Sequence, residues 1–151
     1  MNSTGLRERW LSDDLLLGRT LIEPLAPEEQ VRRAVAVLDL CKGRCRPVPA
    51  IDRVSALGKV PARWAEGHSA FDEVRHLTLL AERVSTDTAY RALLDLAESA
   101  AKIIYNASGA PAPFDHHAPW RLPQRALAFG RALGDDALLD SMWSELTGGA
   151  G

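Results

Sequence analysis

The stretch Ala112-Pro113-Phe114-Asp115-His116-His117-Ala118-Pro119-Trp120-Arg121 concentrates more chemistry than any other part of this chain. It sets a carboxylate, a pair of imidazoles, aromatic rings and a guanidinium on a connection stiffened by proline. Imidazole titrates near neutral pH and ligates transition metals, and an adjacent carboxylate can orient the ring or join the coordination sphere. An arginine beside them can grip a carboxylate or phosphate through paired hydrogen bonds. In an enzyme of this design His116 or His117 would act as general acid or base. Asp115 would orient the imidazole, and Arg121 would hold an anionic substrate. In a binding module the same groups, with Phe114 and Trp120 as apolar walls, would hold a small ligand or a partner. The structural alternative is that Phe114 and Trp120 plug the core and Asp115 caps the turn.

Cys41 and Cys45 stand four residues apart, with Lys42, Arg44 and Arg46 among and after them. If a helix ran past Gly43, both thiols would lie near one stripe, within reach of a disulfide. The neighbouring cations would favour thiolate, which is the basis of a redox-sensing reading. The pair could also supply half of a zinc site completed by His116 and His117. The competing expectation is inert packing, because cysteine is among the most buried residue types.

Glu73-x-x-His76 has the spacing of a bundle carboxylate–histidine metal motif, but no second copy exists in the chain. His76 is therefore expected on a solvated face beside Asp72. His68 belongs to a turn before a helix, and Tyr105 and Trp64 are expected to contribute buried area first. The triplet Asp-His-His also occurs in a phosphoesterase signature, whose α/β framework and further acidic motifs are missing here. No glycine-rich phosphate loop, nucleophile elbow or zincin motif is present. No cofactor is expected, with zinc as the alternative.

The elements that must position these residues read as helices. From Arg7 to Ile22 the residues Trp10, Leu11, Leu15, Leu16, Leu17, Leu21 and Ile22 point all round a helical wheel, with a restart signal at Ser12-Asp13-Asp14. Such a segment is either enclosed or part of an interface, and Trp10, Leu11, Leu15 and Leu16 are its partner-binding candidates. Pro27 opens the next helix, with Glu28 and Glu29 in its first turn and Val31, Ala34, Val35, Leu38 and Cys41 on one face. Residues 47–68 carry short helices closed by Gly67. Ser69 and Asp72 start a helix with Phe71, Val74, Leu77, Ala81 and Val84 inward. Thr86 and Asp87 start another, with Tyr90, Leu93, Leu94, Ala97, Ala100, Ala101 and Ile104 inward and the Glu98–Lys102 pair on the opposite side. Pro123 opens a helix in which Gly130 lets a neighbour come close. Asp135 or Asp136 caps the last helix, whose inner stripe is Leu138, Leu139, Met142, Trp143 and Leu146.

No stretch alternates with the period of a strand, so the expected fold is all-α. It is a compact single-domain helical bundle of about five to seven helices over residues 1–151, with 1–6 and 148–151 frayed. A chain of 151 residues can bury a core without staples, and a net charge of −2 argues against a nucleic-acid partner. No run approaches the roughly 20 apolar residues of a membrane span, and the start lacks a signal-peptide pattern. The expected location is cytoplasmic. The leading functional expectation is a non-enzymatic helical module that binds a protein partner or a small ligand, with a homodimer as one form. The alternatives are a small enzyme of specialised metabolism with a pocket under the 112–121 loop, and a zinc or redox sensor through Cys41 and Cys45.

Overall fold

The computed structural model describes residues 3–114 and 118–149. Its elements are α1 (Ser3–Leu11), α2 (Leu17–Leu21), α3 (Pro27–Lys42), α4 (Pro49–Leu57), α5 (Trp64–Val84), α6 (Thr88–Ala107), a 3-10 turn (Pro119–Arg121), α7 (Leu122–Leu133) and α8 (Asp136–Leu146). The fold is an all-α bundle, with no strand among the described residues. None of these helices is long and apolar enough to cross a membrane.

The bundle is organised around α6. Asp87 caps it by accepting a hydrogen bond from the Tyr90 N–H at 3.0 Å. Every residue from Leu96 to Tyr105 is buried, so α5, α7, α3 and α4 enclose it on successive sides. Small side chains permit this: Ala97, Ser99, Ala100 and Ala101 bring the neighbouring helices close. α5 approaches through its own small residues, and a Cβ on Gly67 would stand 3.2 Å from the Tyr105 Cα. That close approach corrects the expectation that Gly67 ends a segment. Instead α5 begins at Trp64, where the Arg63 N–H donates to the Glu66 carboxylate at 3.2 Å, and Gly67 lies inside the helix. The buried face of α5 is Gly67, Ala70, Val74, Thr78 and Ala81, while Val84 at its last turn is exposed.

The N-terminal segment is broken where Ser12-Asp13-Asp14 announced a break. Asp13 takes a left-handed φ of 62°, and Asp14 accepts hydrogen bonds from the Leu16 N–H and the Arg9 guanidinium. The break sorts the apolar residues by direction. Trp10, Leu17 and Ile22 are fully buried, while Leu11, Leu15 and Leu16 face outward. Trp10 stacks on Trp143 at 5.2 Å between ring centroids, and its indole N–H donates to the Pro123 carbonyl at 2.7 Å. One aromatic pair thus ties α1, α7 and α8 together.

Prolines and glycines placed in sequence reappear with defined jobs. Pro27, Pro49 and Pro123 open α3, α4 and α7, and Gly134 ends α7 in the left-handed conformation at φ 62°. Gly130 does face a close neighbour, the Leu139 and Met142 side chains of α8. Gly18 is the tightest point: a Cβ there would fall 1.6 Å from the Trp120 carbonyl oxygen. The whole 3-10 turn is therefore seated against the backbone of α2. Gly18→Ala is expected to destabilise the fold by about 3 kcal/mol, since backbone rather than a flexible side chain must move. Gly43→Ala, at φ −70° with its nearest contact at 3.7 Å, should be neutral or slightly stabilising. Urea denaturation of both variants checks this, and equal midpoints would refute the seating of the turn on α2.

Candidate functional site

Two regions around α6 carry the features a site requires, and they lie on different sides of that helix. The first is a group of charges buried under the loop between α6 and α7. Glu98 and Lys102, expected on a solvated side, are 3% and 6% exposed. The Lys102 ammonium stands 3.4 Å from one Glu98 carboxylate oxygen, and Arg75 of α5 stands 3.5 Å from the other. Beside them Arg125 of α7 donates to the Asp95 carbonyl at 2.9 Å and to the Ser99 hydroxyl oxygen at 2.8 Å. Burial lowers the pKa of Lys102 against the opposing pull of Glu98, and it lowers that of Arg125 against Glu98 and Asp95. Burial also raises the pKa of Asp95. The sequence signal for Glu98 and Lys102 was an i,i+4 pair, which normally marks a surface. Here the loop covers it.

That loop is fastened to α6 at several points. The Asn106 side-chain amide donates to the Phe114 carbonyl at 2.8 Å and accepts from the Phe114 N–H at 2.7 Å. The Tyr105 hydroxyl donates to the Ala112 carbonyl at 3.1 Å, and Ser99 donates to the Ala118 carbonyl at 2.8 Å. Phe114 packs on Phe71 and Tyr105 at 5.2 and 5.0 Å between centroids, and the Lys102 ammonium lies 5.0 Å from the Phe71 and Phe114 rings alike. Phe114 and Trp120 thus work as plugs. Arg121 is exposed at the start of α7. Asp115, His116 and His117 lie outside the described residues. His68 stands 3.3 Å from the Asp72 carboxylate on α5, and its ring borders Phe71 and Tyr105. His76 instead meets the Asp72 carbonyl at 2.9 Å, while Glu73 pairs with Arg53.

The cysteines separate. α3 ends at Lys42, so Cys45 leaves the helical stripe, and both thiols are free. Cys41 is buried at 3.3 Å from the Met142 sulfur, and burial pushes its thiol up to about 12. Among the described residues no group of three or more His, Cys, Asp or Glu is placed to hold a metal.

The second region is concave. A cleft of about 630 Å³ opens between the start of α3, the α4–α5 connection and the end of α6. Its walls present polar and apolar surface in comparable shares: Val31, Leu57, Val60, Pro61, Ala62, Ile104 and Ala107 are the apolar side chains, and Glu28, Lys59 and Ser108 are polar members. Gly58 forms its floor, where a Cβ would strike Val35 at 2.1 Å and meet Ile104 at 3.4 Å. The chain crosses α3 so closely there that only glycine fits. A smaller hollow of about 340 Å³ adjoins it and shares Glu28, Gly58 and Lys59. Sequence reasoning missed this site. Val31, on the inner face of α3, is half-buried against the core and also lines the cleft. The available signal was the Gly58-to-Pro61 stretch, whose Val60 and Pro61 had no helical stripe to join.

Comparison with protein-family models, curated proteins and solved structures returns no match. The chemistry is therefore read from geometry. Glu98, Lys102 and Arg125 are each partnered, as a structural network requires. Glu98→Gln should cost about 3 to 5 kcal/mol, because it strands the buried Lys102 ammonium, whereas Lys102→Met should cost less, because Arg75 still pairs with Glu98. Glu98→Gln combined with Lys102→Met should cost less than the sum of the two single changes. In Glu98→Gln the unpartnered ammonium has a lowered folded pKa, so the unfolded chain binds more protons and stability must rise with pH through that range. A double-mutant cycle in urea checks the coupling, and a coupling energy near zero would show that the pair is not a unit. For the cysteines, a thiol-disulfide reagent at mildly alkaline pH should label Cys45 in the native protein and Cys41 only after unfolding. Equal labelling rates would contradict the burial of Cys41.

Proposed function

We propose that this protein is a non-enzymatic binding module that takes a small, largely apolar ligand into the cleft between α3, the α4–α5 connection and α6. The observation that carries this reading is the cleft itself. Its volume of about 630 Å³ falls in the range of small-molecule sites, and its walls combine apolar side chains with a few polar groups at the rim. The position supports it as well. Ile104 and Ala107 belong to the most enclosed helix of the bundle, and Gly58 fixes the opposite wall against Val35. A site built on such elements is shaped before the ligand arrives, which lowers the ordering cost of binding.

The reading also accounts for what the other candidates do. The charges under the 109–118 connection are committed to one another, and Phe114 and Trp120 are packed. Catalysis by that group would require breaking contacts on which the loop depends.

The test uses 1-octanol as an uncharged probe, with amide chemical shifts of the isotopically labelled protein as the readout. Saturable shifts are expected at Val31, Gly58, Ile104 and Ala107. Ala107→Trp, which fills the cleft from the end of α6, should abolish them while leaving the circular dichroism spectrum unchanged. Shifts that are absent, or that cluster elsewhere and survive Ala107→Trp, would overturn the reading.

A further inference from the structure

We infer that Lys59 is a strap across the hollow beside the cleft, and that the ligand is an uncharged amphiphile long enough to displace it. This rests on the cleft being the binding site and names the ligand's class, a hydrocarbon chain with a hydroxyl or amide head. Glu28, Gly58 and Lys59 line both concavities, so one ridge divides them. Gly58 is the fixed part of that ridge, because its backbone lies against Val35, where a Cβ would strike at 2.1 Å. Lys59 is the part that can move. Its ammonium reaches the Asp39 carboxylate at 2.9 Å, and Asp39 lines the hollow but not the cleft. The Lys59 side chain therefore stretches from the ridge over the hollow.

Little holds the strap in place. The Lys59 side chain is 57% exposed, and an ion pair so open to water shifts an equilibrium by a few fold at most. Asp39 does not depend on it. The Ser55 hydroxyl donates to the other oxygen of the same carboxylate, and the Lys42 ammonium stands 3.8 Å from that oxygen. Lys59 can leave without stranding a charge, and its departure opens a wall that includes Val35 and Ala36 of α3. A chain that continues past Gly58 gains that apolar contact. The head group follows from charge balance. Glu28 and Asp39 stand against Lys59 and Arg32 around the two concavities, and Arg32 is already bound to Glu29. Neither sign of head group is favoured, so a charged one would lose hydration without meeting an opposite excess. A hydroxyl or amide, which can donate and accept, suits a rim that carries both kinds of partner.

The experiment titrates the full chain with 1-hexanol and 1-decanol, each below its solubility limit, and follows amide shifts. Hexanol is expected to move Val31, Ile104 and Ala107, whereas decanol moves Ala36 and Asp39 as well. Lys59→Ala should raise decanol affinity about threefold to fivefold and leave hexanol affinity unchanged. Lys59→Arg, which keeps a cation for Asp39, should behave as the original chain does. Decylammonium and decanoate should both bind more weakly than 1-decanol, and to similar extents. If decanol leaves Ala36 and Asp39 unmoved, or if Lys59→Ala strengthens both alcohols alike or neither, the strap is refuted while the cleft remains the site. A charged homologue that binds more tightly than 1-decanol would refute the uncharged class. If neither alcohol binds, the cleft reading falls and the inference with it. Self-association that moves the same amides would make a second copy of the chain the occupant and would overturn both.

Discussion

The Glu98–Lys102 pair inside α6 is the interaction on which the arrangement depends. A helix buried along its whole middle, from Leu96 to Tyr105, is ordinarily apolar all round. This one carries a carboxylate and an ammonium at low exposure, and both must be compensated locally. Arg75 of α5 supplies one partner for Glu98, and the rings of Phe71 and Phe114 close around Lys102. The connection after α6 adds Phe114 to that enclosure by folding back over the pair. The Asn106 and Tyr105 hydrogen bonds hold it there, and Ser99 fastens the far end at Ala118. The return path then feeds the 3-10 turn onto Gly18 and leads into α7, so the charge pair indirectly fixes the position of the N-terminal segment.

The two sides of α6 divide the work between consecutive residues. Tyr105 turns towards Gly67, Trp64 and the loop. Ile104, one position earlier, turns towards Gly58 and the cleft. The first side is closed by hydrogen bonds, ring contacts and ion pairs. On the second side the α4–α5 connection passes over α3 on a glycine and leaves a hollow beyond it.

Much of this was legible in the sequence. Capping residues, prolines and glycines announced the ends of α3, α6, α7 and α8, since those signals act through local backbone geometry. The break at Ser12-Asp13-Asp14 was equally local. The inner stripes of α6 and α8 followed from periodicity alone. What failed depended on tertiary partners. An i,i+4 pair of opposite charges reads as a surface feature unless a distant loop covers it, and nothing near Glu98 announces the loop. Gly67 read as a terminator because a single sequence does not reveal that Tyr105 will press against it. Two members of the 112–121 stretch, Phe114 and Trp120, depend on tertiary partners in the same way. Phe114 and Trp120 look like ligand walls in sequence, and in the fold they are the plugs that hold the connection down.

The same reasoning explains why the cleft, rather than the charge-rich side, is the better place for a ligand. Buried charges attract attention because they are expensive, but their cost is met here within the chain, and a ligand would have to replace contacts of equal quality. The cleft has no such debts. Its apolar walls remain in contact with water, and covering them releases free energy in proportion to the area removed from solvent. Its polar members are unequal: Lys59 is held by Asp39, whereas Glu28 faces the opening without a partner among the described residues. On the proposed reading, recognition falls to that hollow rather than to the buried charges, because its surface is still open to solvent.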